Sequence, residues 1–212
     1  MRLKIQASFA LKPYLTLTLS LITTSLGLFG LWQRDPNIAE EDRLIEWLQA
    51  ACLGGAACIH AHRSRAESHE MISRLIRRGL ALLAASFLLR ELDIDSWGNP
   101  SVAEPIQFTL RLTLVILWLI YARPLVQHIP VLWKNFTKTL GVPTVFLASI
   151  GCCFYAASWP FEKELFALSE NSSKFIGQLL QLHACALLLS SSLIQRSCRF
   201  TSRDDHGPCR RC

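Results

Sequence analysis

The chain has 212 residues, 51% of them hydrophobic and only 18% charged, with a formal net charge of +6 and a mean hydropathy of +0.29. That composition is unusual for a soluble domain, and the apolar residues are clustered, leaving little chain for a separate soluble domain. The expected partners are the lipid bilayer and another membrane protein, not nucleic acid.

A bilayer core about 30 Å thick asks for roughly 20 helical residues per crossing. Six stretches meet or approach this length: 13–32, 44–60, 75–92, 105–123, 142–159 and 174–193. The expected fold is all-α, a polytopic bundle of six transmembrane helices over residues 1–195, followed by a basic, Cys-containing cytoplasmic tail over 196–212.

Span one carries Thr16, Thr18, Ser20, Thr23, Thr24, Ser25, Gly27 and Gly30, small and hydroxylated residues suited to close helix pairing. Its apolar part is too long for an ordinary secretory h-region and has no clear A-x-A site, so it reads as a retained helix. Span two holds the small-xxx-small pairs Ala50/Gly54 and Ala51/Gly55, which mark it as the central, tightly packed helix. In the fourth loop Val131, Leu132, Phe136 and Leu140 recur at helical spacing between Pro130 and Pro143, which predicts a short interfacial helix.

The loop charges give the orientation. One face collects Arg2, Lys4 and Lys12, then Arg63, Arg65, Arg74, Arg77 and Arg78, then Arg123, Lys134 and Lys138, then Arg196, Arg199, Arg203, Arg210 and Arg211. Most of the acidic residues gather on the other. By the positive-inside rule both termini are cytoplasmic, and Trp32, Trp47, Trp97 and Trp159 fall near outer span ends as interfacial indoles do. The expected location is a bacterial inner membrane.

Spans two and three form a hairpin whose outer ends carry Glu46 and Glu91. From Glu46 to His62, and from Arg77 to Glu91, the helical rise is about 21–24 Å, so the two carboxylates reach similar depths. Arg111 lies more than a turn inside span four, where a charge needs a partner or a wet cavity. A polar cluster is expected from Glu46, Arg90, Glu91 and Arg111, with Asp93, Asp95, Glu41 and Asp42 above it. Three roles stay open for it: a structural ion-pair network, a site for Ca²⁺ or Mg²⁺, or a catalytic or substrate site with carboxylates as acid and base.

Of the eight cysteines, Cys52, Cys58, Cys152, Cys153 and Cys185 sit in apolar spans as small hydrophobes. Cys198, His206, Cys209 and Cys212 in the tail form a single Cys-x2-Cys with a nearby histidine, a weak metal or redox pattern. No cofactor follows from the sequence. His60, His62, His69 and His128 lie at the inner side, and His183 stands alone in span six as a hydrogen-bonded residue.

At Glu41-Asp42-Arg43-Leu44-Ile45-Glu46-Trp47 and Leu89-Arg90-Glu91-Leu92-Asp93-Ile94-Asp95 the chain resembles uncharacterised bacterial multi-spanning membrane proteins with E-D-x-x-I-E-W and R-E-x-D-x-D patterns. The resemblance covers mainly spans two and three and implies no established activity. The paired glutamates that often open the last span of those proteins are represented here by Glu170 alone. A fainter similarity is to alkaline ceramidase-like membrane hydrolases, whose His-x3-His spacing the chain lacks. The leading expectation is a non-enzymatic accessory or interaction component of the envelope. The alternatives are a membrane-embedded lipid hydrolase using Glu46 or Glu91, and a small-solute transporter.

Overall fold

A computed structural model describes residues 2–36, 44–66, 71–92, 100–163, 165 and 168–204. Among them every regular element is a helix: α1 (Arg2–Trp32), α2 (Leu44–Ala66), α3 (Met71–Glu91), α4 (Pro100–Leu140), α5 (Val142–Glu162) and α6 (Glu170–Asp204). Five contain stretches long and apolar enough to cross a membrane: Leu15–Trp32, Leu44–Ala66, Ser101–Leu140, Val142–Phe161 and Glu170–Leu193. The exception, α3, carries Arg74, Arg77, Arg78, Arg90 and Glu91 within its 21 residues.

α6 is the hub. It packs against α5 and α2; α2 also pairs with α3, α3 with α4, while α1 touches the bundle through α6 and α4 lightly meets α5. Of the crossing stretch in α6, 44% is buried, against 33% in α2 and 6% in α1 and α4. The centre therefore falls on α6 rather than on α2, and both α5 and α2 turn a glycine toward it. A Cβ added at Gly151 of α5 would lie 3.2 Å from the Ala184 carbonyl oxygen, and one at Gly55 of α2 would lie 3.1 Å from Leu189 Cδ1. Of the small residues singled out on α2, Ala50 is buried, Gly54 meets Leu88 of α3, and Ala51 is exposed.

α2 and α6 run parallel, since Gln49 meets Gln178 and Gly55 meets Leu189. α2 and α3 run antiparallel: Gly54 approaches Leu88, and lower down His60 lies within electrostatic reach of Arg77. Where the end of α1 meets the N-terminal parts of α2 and α6, Leu28, Ile45, Phe175 and Leu182 form an apolar cluster. Trp32 stacks on Phe175 there at 4.9 Å, with the rings 19° apart.

The stretch expected to be an interfacial helix is instead the last part of α4, a single helix of 41 residues that contains Pro105, Pro124 and Pro130. Its face of Leu132, Phe136 and Leu140 packs on Ile72, Leu75 and Ile76 at the start of α3. At 1.5 Å per residue α4 is about 62 Å long, roughly twice a bilayer core. Gly141, at φ 84, ends it and the amide donates to Thr137 O over 2.8 Å, while Pro143 sits in the first turn of α5. Positive φ after a helix and proline within the next first turn are the expected residue choices for such a break. The helix α6 runs through Cys198 into the stretch read as a tail.

Candidate functional site

The N-terminal parts of α2 and α6 are tied by a chain of amides. Gln49, fully buried, donates from Nε2 to Gln178 Oε1 over 2.8 Å and to Gln178 O over 3.0 Å. Gln178 Nε2 in turn donates to Glu46 Oε1 over 3.2 Å. The order of donation runs from the core to the carboxylate near the helix start, so Glu46 is held by α6. Gln49 and Glu46 lie three apart on α2, one face of the helix, and Gln178 answers both.

The other expected cluster members have different neighbours. The Arg90 guanidinium lies 5.4 Å from the centre of the Tyr155 ring on α5. Glu91, half-buried, lies within electrostatic reach of Cys185 on α6. Arg111 is exposed on α4, and among the described residues it makes no hydrogen bond or ion pair. The geometry thus connects α2, α3, α5 and α6 at this end, while Arg111 stands apart because α4 packs on α3 and α5 rather than on α2. Glu41, Asp42, Asp93 and Asp95 lie outside the described residues, as do His206, Cys209 and Cys212.

Midway along α6 a second tie reaches α1. His183 Nε2 is 2.8 Å from Ser25 Oγ, and Nδ1 is 2.6 Å from the Leu179 carbonyl oxygen. That carbonyl can only accept, so Nδ1 carries a proton; in a neutral imidazole Nε2 then accepts from the Ser25 hydroxyl. Ser25 Oγ is also 2.7 Å from its own Leu21 carbonyl oxygen, which competes for the single hydroxyl proton.

Sequence reasoning missed a buried polar layer toward the other end. Arg77 has no exposed surface, and His60, Ser64 and Ser73 are buried with it on α2 and α3. His60 Nδ1 has no hydrogen-bond partner among the described groups. The signal was present in the spacing: His60/Ser64 and Ser73/Arg77 are each four apart, which puts each pair on one helix face. Reading Arg74, Arg77 and Arg78 together as loop charge hid it.

Between these layers lies a cavity of about 130 Å³ bounded by Leu53 of α2, Phe87 of α3, Gly151, Cys152, Tyr155 and Ala156 of α5, and Cys185 and Leu188 of α6. Among the described residues no three His, Cys, Asp or Glu side chains are grouped as metal ligands. The fold is that of an α-helical membrane protein. No family model matches the sequence, and neither a curated protein nor a solved structure matches the chain.

Proposed function

We propose that this is a six-span protein of a bacterial inner membrane, with both termini cytoplasmic, that works as a non-enzymatic accessory or interaction component of the envelope. Six crossings are supported by α3 lying antiparallel along α2, so that α3 shares the depth of its neighbour despite its charges. The resemblance to bacterial multi-spanning proteins agrees with this placement.

One observation supports an interaction role above the others. The polar side chains inside the spans join helix to helix: Gln49 to Gln178 to Glu46, Ser25 to His183, and Trp118 Nε1 donating to Ser86 Oγ over 3.0 Å. Such ties are worth about 0.6 kcal/mol each on average in a membrane and set how helices pair. By contrast α1 and α4 keep long apolar flanks outside the bundle, with Leu26 and Leu119 among the most exposed residues. A photo-crosslinking residue placed at position 26 or 119 in growing cells is expected to give a discrete protein adduct from at least one position. Adducts with lipid alone at both would overturn the interaction role.

A second reading rests on the Ser25–His183 pair, which has the contacts of a nucleophile and its base: hydroxyl to Nε2, with Nδ1 held by a carbonyl. In a membrane lipid hydrolase of this kind Ser25 Oγ would attack an ester carbonyl as its proton passes to His183 Nε2, and that proton would then go to the departing alcohol. Water would release the acyl group. The rival Leu21 bond favours the tie over the nucleophile. A fluorophosphonate probe that labels the wild type but not Ser25→Ala would reverse that order.

A further inference from the structure

We propose that the cavity between α2, α3, α5 and α6 is a binding site for one anionic phospholipid, an acyl-chain segment in the cavity and its phosphate at Arg90. This goes beyond the accessory reading and holds whether or not the protein also has a protein partner.

The walls of the cavity decide the chemistry of its occupant. They are almost wholly apolar side chains drawn from four helices, at about 130 Å³. A buried water needs two to four polar partners, whereas an apolar cavity of about 150 Å³ stays dry and accepts a hydrocarbon such as benzene. Within a bilayer the hydrocarbon at hand is an acyl chain, and this volume takes a segment of a few methylenes. The mouth faces the bilayer: Cys152 and Ala156, four apart on α5, line the cavity and are exposed on the outside of the bundle. A chain enters sideways between α3 and α5, which meet across this gap through Phe87 and Tyr155, ring centres 5.4 Å apart.

Charge supplies the second half of the argument. Tyr155 lines the cavity and also carries the Arg90 guanidinium over its ring, so the cation sits at the cavity's outer rim. Arg90 is three residues beyond Phe87, about 4.5 Å along α3 toward the helix end. That is the direction in which a phospholipid's phosphate lies relative to its chains. A guanidinium has five N–H donors in a fork that matches phosphate oxygens, enough to take a phosphate beside existing contacts. Arg90 is exposed, while the neighbouring Glu91 is half-buried toward Cys185, so the outward charge at the rim is positive.

The test uses the purified full-length protein, delipidated in detergent and offered dioleoyl phosphatidylglycerol, phosphatidylethanolamine or phosphatidylcholine, with retained lipid counted by native mass spectrometry. The wild type is expected to keep one phosphatidylglycerol in preference to the other two. Arg90→Gln should reduce that preference about fivefold, the worth of one basic contact at a membrane surface, while chain retention persists. Ala156→Phe should block the mouth and abolish retention of all three lipids with the melting temperature unchanged. If it does not fold, Cys152→Phe closes the same mouth from the turn before. Equal retention by the wild type and the mouth-blocked variant, or no preference among headgroups in the wild type, would overturn the site.

Discussion

Arg74, Arg77 and Arg78 are neighbours in sequence and belong to different environments in the fold. Arg77 has no exposed surface, whereas Arg78 is exposed and donates from Nη1 to Tyr121 OH of α4 over 2.9 Å. A buried guanidinium is kept only where its donors are matched, and truncating it leaves those partners and a void behind. Arg77→Ala is therefore expected to destabilise the protein by about 3–5 kcal/mol. Arg78→Ala should cost no more than about 1 kcal/mol, the scale of an exposed contact. Thermal unfolding in one detergent compares the two directly, and equal losses would remove the buried layer from the account. The same contrast shows where the sequence stops being legible. The signs of these charges could be read as an address, but their direction around the helix depends on α2 lying alongside.

At the scale of elements, the apolar stretches were legible as helices, and the residues where they begin followed hydropathy closely for α2 and α5. What periodicity could not supply was the surface each face meets. Val131, Leu132, Phe136 and Leu140 have the pattern of an interfacial helix, yet three of the four are used against α3 and the segment is continuous with α4. Prolines bracketing a segment look like boundaries, but helices at membrane depth tolerate proline because neighbours and local adjustment satisfy the freed backbone groups. Arg111 shows the converse, since its place more than a turn inside span four groups it with Glu46 while the packing of α4 on α3 keeps it outside. The α3–α4 seam can be tested with adjacent residues. Leu132 is buried in it, while Trp133, one position on, is 83% exposed. Leu132→Asn should lower stability by about 2–4 kcal/mol, through lost burial and an amide placed among apolar groups. Trp133→Asn should leave the unfolding temperature nearly unchanged in detergent. Were the segment an independent surface helix, neither change would alter the unfolding of the bundle.

For the whole molecule the question is whether α3 crosses the membrane. Composition alone denies it, because Arg74, Arg77, Arg78, Arg90 and Glu91 break the apolar run. Packing argues for it, through three features. Arg77 is shielded from lipid by the bundle, Arg90 and Glu91 lie at the last turn near the headgroups, and Arg74 and Arg78 lie within two turns of the opposite end, where long basic side chains reach the interface. A helix of 21 residues rises about 31 Å, enough for one crossing, and it runs antiparallel to α2. Six crossings return the C-terminal end of α6 to the side of the N-terminus; five place them on opposite sides. A fluorescent reporter that matures only in the cytoplasm, fused after residue 204, should therefore light up. An alkaline phosphatase reporter that works only outside the cytoplasm should be silent after residue 204 and active when placed between residues 93 and 99. The opposite result at both positions would mean that α3 does not cross if a phosphatase placed between residues 67 and 70 is silent, and that the whole orientation is inverted if that phosphatase is active. Both positions reporting the same side would mean that one of α4, α5 and α6, rather than α3, fails to cross.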